Sequence, residues 1–160
     1  MVYQEVVAVA MTKDRHEAVA AVRRDRVRSE LARLDYLRGL AAAAGAGASQ
    51  RELARELHVT QPSVSSALKT ARTTPSVPAG FHGASPYEIA ERFLAGEITR
   101  AQVIEELARW PYRPVDAGDG FDWSTYAPGE FEEVGRALTD GLLDDAIYDA
   151  ILDRRDELAR

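Results

Sequence analysis

Two helix start signals lie close together in the stretch SQRELARELHVTQPSVSSALK, residues 49–69. Ser49 followed by Glu52 has the spacing of a capping box, in which the two residues satisfy backbone N–H groups at the helix start. Thr60 is a favourable N-cap, and Pro62 suits the first turn of a second helix, where its missing N–H has no helical partner. So short a connection predicts two helices that cross steeply and pack closely.

Each of these predicted helices has an apolar face, and the second also has an unusual polar face. The apolar positions are Leu53, Ala54 and Leu57 in the first helix and Val64, Leu68 and Ala71 in the second. Residues 60–74 contain no Asp or Glu, although the chain has 26 acidic residues. Because a solvated helix of an acidic protein is expected to carry carboxylates, we predict that this polar face contacts another molecule.

The pair of helices resembles the helix-turn-helix of bacterial and phage repressors over residues 50–69. In that family a small residue stands at the place of Ala54, and the second helix enters the major groove of DNA. The family's apolar positions correspond to Leu53, Leu57, Val59, Val64 and Leu68. The resemblance departs at His58, where the family usually has glycine in a left-handed conformation, which His adopts less readily. An αα-hairpin that merely fills a helical bundle is the alternative.

The resemblance implies a DNA-binding surface on the second helix, with base contacts from Gln61, Pro62, Ser65 and Ser66. Glutamine can pair bidentately with adenine, and serine can approach either type of base. The resemblance also implies that Gln50 braces the recognition residue and touches a phosphate. We predict phosphate contacts, which fix the register without reading sequence, from the cations Arg51, Lys69 and Arg72. The whole predicted surface comprises Gln50, Arg51, Thr60, Gln61, Pro62, Ser65, Ser66, Lys69 and Arg72.

The charge of the chain is divided unevenly between its halves. The net charge of −6 alone argues against binding to nucleic acid. Residues 1–74 carry 12 Lys and Arg against 8 Asp and Glu, a net +4, whereas residues 75–160 carry 8 against 18, a net −10. Only the first half is therefore expected to approach double-stranded DNA without strong repulsion. With so few cations, binding should be weak and salt-sensitive, which implies a homodimer or a second contact surface.

Composition also limits the compartment and the chemistry. The chain has no Cys, which excludes disulfides and thiolate metal sites and favours a cytoplasmic location. No apolar run approaches the roughly 18 residues of a membrane span, so no membrane association is predicted. Asp116, Asp119 and Asp122 lack the order of a calcium-binding EF-hand loop. We predict no metal or other cofactor, and no catalytic motif points to an enzyme.

The order of segments predicts an all-α protein in two parts. A Pro- and Ser-rich linker at residues 75–86 separates a helix-turn-helix domain, 1–74, from an acidic helical domain, 87–160. Residues 3–11 could form a strand or an early helical turn. A long helix over 14–44 either covers the helix-turn-helix core or supplies a dimer seam, and GAGA at 45–48 ends it. The apolar residues of this helix are Val19, Val22, Val27, Leu31, Leu34, Leu37 and Leu40.

The second half has its own helix signals and an aromatic group. Ser85-Pro86 and Thr99 are expected to begin two helices, and Pro128 and Leu143 introduce two more. Five aromatic residues, Trp110, Tyr112, Phe121, Trp123 and Tyr126, are expected to pack into a small core. The alternative is that Trp110, Tyr112, Trp123 and Tyr126 bind a partner protein, since Trp and Tyr concentrate binding energy.

The segment PYEIAERFLAGEITRAQVIEELARW, residues 86–110, weakly resembles the helical unit of antitoxins that inhibit Fic-type toxins. Their inhibitory Ser/Thr-x-x-x-Glu-Gly/Asn motif is missing here, so that mechanism is not carried over. The sequence thus favours a DNA-binding transcriptional regulator, with an antitoxin-like autorepressor as the specific hypothesis. In that hypothesis the acidic half binds a toxin or another protein. A helical adaptor or scaffold that does not bind DNA is the alternative.

Overall fold

The computed structural model describes the backbone of residues 2–113 and 129–160, with side chains from Lys13 onwards, and α-helix is the only regular secondary structure in these ranges. The predicted fold class is therefore confirmed. The helices are α1 (Val2–Gly45), α2 (Gln50–Glu56), α3 (Gln61–Ala71), α4 (Pro86–Ala95), α5 (Arg100–Arg109), α6 (Glu132–Thr139) and α7 (Asp145–Leu158). Within the described ranges, no helix combines the length and the apolar character that crossing a membrane requires.

Helix α1 is much longer than the sequence pattern indicates. It includes residues 3–11, so the helical alternative for this segment is correct and the strand is wrong. Its 44 residues correspond to a length of about 66 Å at 1.5 Å per residue. The predicted glycine-rich end is confirmed, because Gly47 has a φ of 98° and its N–H donates to the carbonyl of Ala44.

The apolar residues of α1 differ in how deeply they are buried. Val27, Leu31, Leu37 and Leu40 are buried, as a packed helical face requires, whereas Val19 and Val22 are 65% and 69% exposed. These two valines precede the part of α1 against which α3 and α4 pack. The periodic pattern thus identifies the helix correctly but not how far other helices cover it.

The C-terminal part of α1, α2 and α3 form a small three-helix unit. Its core consists of Leu40, Ala54, Val64 and Leu68. The predicted caps are present: the Ser49 hydroxyl accepts from Glu52 N–H at 3.2 Å, and the Thr60 hydroxyl accepts from Ser63 N–H at 3.3 Å. Helix α1 therefore covers the core of the predicted helix-turn-helix, and the dimer seam stays a prediction for its exposed part.

Helices α4 to α7 form a second unit around a larger apolar core. Ile89, Leu107, Val134 and Ile151 are fully buried at its centre. The Ser85 hydroxyl accepts from the N–H of Glu88 at the start of α4, as predicted. At α5, Thr99 and Gln102 form the complete reciprocal capping box. Local sequence signals therefore set the starts of α4 and α5, whereas α6 begins without a side-chain cap.

A direct contact between α1 and α4 joins the two units. Val27 and Leu31 of α1 pack against Ala95 of α4, and the three side chains form a separate buried cluster. The Arg28 guanidinium also donates to the Ala95 carbonyl at 2.9 Å. Helix α1 therefore contributes to the packing of both units.

The Pro- and Ser-rich segment 75–86 contacts α1 and the acidic unit. Arg38 of α1 donates to the Pro75 carbonyl at 2.9 Å. The ring of Phe81 packs edge-on against Trp110 with 4.8 Å between the centroids. These contacts hold the segment against α1 and the acidic unit along its length.

Candidate nucleic-acid interface

The turn between α2 and α3 has the left-handed residue that the sequence predicts. His58 has a φ of 54° and is the one non-glycine residue with a positive φ in the described part of the chain. The N–H of His58 donates to the Arg55 carbonyl, and that of Val59 donates to the Ala54 carbonyl at 3.0 Å. This conformation closes α2 and leads the chain directly into Thr60, the N-cap of α3.

The packing of α3 follows its predicted apolar stripe. Val64, Leu68 and Ala71 are all buried. The prediction of packed apolar residues is wrong in part on either side of His58, because Leu57 and Val59 are 40% and 43% exposed. Helix α2 ends at Glu56, so both residues lie beyond the turn of α2 that packs against α3.

The predicted DNA contacts lie on the solvent side of the three-helix unit. Gln50 and Ser65 are partly buried, and the other seven residues are exposed. Those seven are Arg51, Thr60, Gln61, Pro62, Ser66, Lys69 and Arg72. Gln61 is the first residue of α3, and Lys69 lies in its last turn. The surface therefore runs along the whole length of α3 and includes the start of α2.

The cations of this surface are not paired with carboxylates. The side chains of Arg51, Lys69 and Arg72 form no hydrogen bond or ion pair with any residue that the structure describes. Arg55, which is not on the predicted surface, instead binds the neighbouring Glu56 carboxylate at 3.0 Å. The three predicted phosphate contacts are thus available to an external anion.

A cluster of paired charges on the other side of α1 contrasts with this surface. Arg38 binds both carboxylate oxygens of Glu88 at 2.7 Å, and Arg92 binds the same carboxylate at 2.9 Å. Arg92 also binds Asp35 and Glu97, each at 2.6 Å. Burial by itself would raise the pKa of Glu88, but the hydrogen bonds from the arginines and from a backbone N–H outweigh it and lower that pKa. We call this cluster the α1–α4 seam.

A second carboxyl group at this seam titrates in the opposite direction. The pKa of Glu91 is raised from 4.5 to about 7, first by burial and then by the nearby carboxylates of Glu30 and Glu88. The guanidinium groups of Arg136 and Arg92 oppose this shift. Helices α1, α4 and α6 thus all contribute charges around Glu91.

The described aromatic residues of the proposed partner site are used in packing. Trp110 is 8% exposed, and the Tyr112 hydroxyl donates to the Leu107 carbonyl at 2.6 Å. Burial raises the pKa of that hydroxyl. These contacts favour the core interpretation for both residues. Trp123 and Tyr126, together with Phe121 and the three aspartates at 116, 119 and 122, lie outside the described residues.

The chain has no match among protein-family models, curated proteins or solved structures. Among the residues that the structure describes, there is also no group of three or more side chains that could hold a metal ion. The geometry and charge of α3 and its neighbours are therefore the basis for inferring a function.

Proposed function

We propose that this protein binds duplex DNA through α3 and regulates transcription. The observation that carries the proposal is the exposed face of α3, which has hydrogen-bonding side chains, unpaired cations at its edges and no carboxylate. Such a face suits a polyanion, because bound phosphates would replace no existing ion pair. The left-handed conformation of His58 supports the same proposal, since the turn of the helix-turn-helix family usually has a left-handed residue at this position.

In this proposal α3 lies in the major groove with its N-terminal residues nearest the bases. Gln61 is exposed at the first position of α3 and can donate to and accept from an adenine edge. Arg51 and Lys69 contact phosphates on either side of that base contact and set its register. Gln50, the first residue of α2, is partly buried, in agreement with a bracing role.

A gel-shift titration against the DNA upstream of the protein's own gene tests the proposal. At about 50 mM salt, where electrostatic affinity is high, the protein should retard this fragment and should do so less at about 200 mM salt. A scrambled duplex of the same length is the control for sequence preference. Failure to bind either duplex at the lower salt concentration would instead favour a helical adaptor.

The acidic unit is the proposed site for a protein partner, as in an antitoxin-like autorepressor. Four aspartates recur along one side of α7 and are exposed, without an ion pair to another described residue. They are Asp145, Asp149, Asp153 and Asp156. A basic partner would complement this side of α7. Copurification from the native host with the product of the neighbouring gene tests the partner, and purification without that product would contradict the antitoxin hypothesis.

A further inference from the structure

An open groove of about 470 Å³ lies between α1 and α3, at an edge of α3 where only Ser66 belongs to the predicted DNA-binding surface. Arg33 and Tyr36 of α1 line one wall, and Ser63, Ser66 and Thr70 of α3 line the other. The lining contains hydrogen-bond donors and a cation but no carboxylate. Leu37 and Ala67 also line the groove, but its one charged side chain is a cation, which favours an anion.

The donors of α1 are free in this groove. Neither the Arg33 guanidinium nor the Tyr36 hydroxyl bonds to any residue that the structure describes, and both side chains are exposed. Glu30 lies one turn before Arg33, but its carboxylate is held by Arg26 at 3.1 Å. Arg33 is therefore as available for an external phosphate as Lys69 of α3.

The position of the groove identifies which phosphates it would meet. Ser63 and Thr70 lie on one side of α3, whereas Gln61, Ser65 and Arg72 recur on the opposite side at helical spacing. A helix with its side chains is about 10 to 12 Å wide, and the major groove is about 12 Å wide. A helix that fills the major groove of DNA consequently faces a sugar-phosphate strand on each of its two sides.

We propose that Arg33 and Tyr36 of α1 bind the DNA phosphate strand on the side of α3 that carries Ser63 and Thr70. This inference rests on the proposed function and supplies the second contact surface that so weakly cationic a domain requires. Arg72, on the opposite side of α3, and Arg33 on α1 then contact opposite strands. Helix α1 is thus part of the DNA-binding surface as well as a cover for its core.

The test compares three charge-neutralising variants on one DNA probe. A labelled mixed-sequence duplex of about 30 base pairs, three helical turns, is titrated by fluorescence anisotropy at several salt concentrations. Arg33→Gln should weaken binding about fivefold to tenfold and reduce the slope of log K against log salt by about 1. Lys69→Gln reports on α3 itself. Arg24→Gln is the matched control, because Arg24 is also an exposed and unpaired arginine of α1 but lies two to three turns before Arg33.

Each outcome decides between the two proposals. A loss for Arg33→Gln and Lys69→Gln with near wild-type binding by Arg24→Gln supports the inference. An unchanged affinity and salt slope for Arg33→Gln, with a loss for Lys69→Gln, overturns the inference and leaves the proposed function standing. Equal losses for Arg33→Gln and Arg24→Gln overturn it too, because they report total charge alone. Wild-type protein that fails to bind the duplex overturns both. Circular dichroism spectra confirm that each variant is folded.

Discussion

The two sides of α1 use the same types of charged residue in opposite ways. Toward α4, Arg38 is bound by both oxygens of Glu88 and is only 16% exposed. Toward α3, Arg33 is exposed and has no ion-pair partner among the described residues. Paired and buried arginines fix the arrangement of helices, whereas unpaired arginines remain available to a ligand. The pairing state of a cation therefore separates an architectural from a binding role along one helix.

The largest expected effect, on the free energy of unfolding, comes from removing a paired carboxylate at the α1–α4 seam. Glu88→Ala leaves Arg38 and Arg92 without the carboxylate that both of them bind. Removing one partner of a buried ion pair costs about 3 to 5 kcal/mol in the free energy of unfolding. Urea denaturation followed by circular dichroism measures that free energy. Glu56→Gln is the control, because the exposed Arg55–Glu56 pair should contribute less than about 1 kcal/mol. Equal losses in both variants would contradict a special role of the α1–α4 seam.

A change on the exposed face of α3 should affect binding and leave stability unchanged. Gln61→Ala removes the proposed adenine contact and should weaken binding to the cognate upstream site by about 1 to 3 kcal/mol. Binding to unrelated duplexes should hardly change, since Gln61 is not proposed to contact phosphate. Gel-shift titrations on both DNAs and a thermal melt measure these quantities. An equal loss on every sequence would contradict base reading by Gln61.

The seam should also respond to pH through Glu91. Because its pKa is raised from 4.5 to about 7, its contribution to stability is fully present below about pH 4.5 and is lost as the pH rises through 7. Glu91→Gln should therefore stabilise the protein relative to wild type at pH 8, by on the order of 1 kcal/mol, and have little effect near pH 5. Urea denaturation at the two pH values gives the difference, and a pH-independent difference would rule out this titration.

The smallest expected effect concerns the turn that presents α3. A left-handed conformation costs a residue with a Cβ about 1 to 2 kcal/mol. Glycine avoids this cost, but its greater chain entropy in the unfolded state offsets part of the gain in stability. His58→Gly should therefore stabilise the protein by about 0.5 kcal/mol with unchanged DNA affinity. His58→Val is the matched comparison and should destabilise it, since β-branched residues tolerate this conformation poorly. Destabilisation by glycine would show that the His58 side chain itself has a role.

Features that depend on neighbouring residues could be predicted from the sequence. The caps at Ser49, Thr60 and Thr99 arise from hydrogen bonds that span three residues, so their spacing is visible in the chain. The left-handed turn at His58 is expected from the resemblance to the helix-turn-helix family, which usually has glycine at this position. The stripe Val64, Leu68 and Ala71 is predictable because helical periodicity selects one face for burial.

Features that depend on distant residues could not be predicted in this way. Arg38 and Glu88 are 50 positions apart, and either could equally have been a solvated surface charge. The exposure of Val19 and Val22 was missed because periodicity shows that a face is apolar but not whether another helix covers it. The groove at Arg33 was missed for the same reason, since it exists only where α1 and α3 meet.

The continuity of α1 across both units has a consequence for how the protein can be divided, in the laboratory or by recombination. The Pro- and Ser-rich segment is the obvious place at which to divide the chain into two fragments. A fragment that ends at Thr74 would nevertheless expose Val27 and Leu31 to water and leave Arg38 without Glu88. Exchanging the acidic unit between proteins would likewise require matching changes on α1. The chain has the sequence layout of a modular protein, but α1 makes its two parts interdependent.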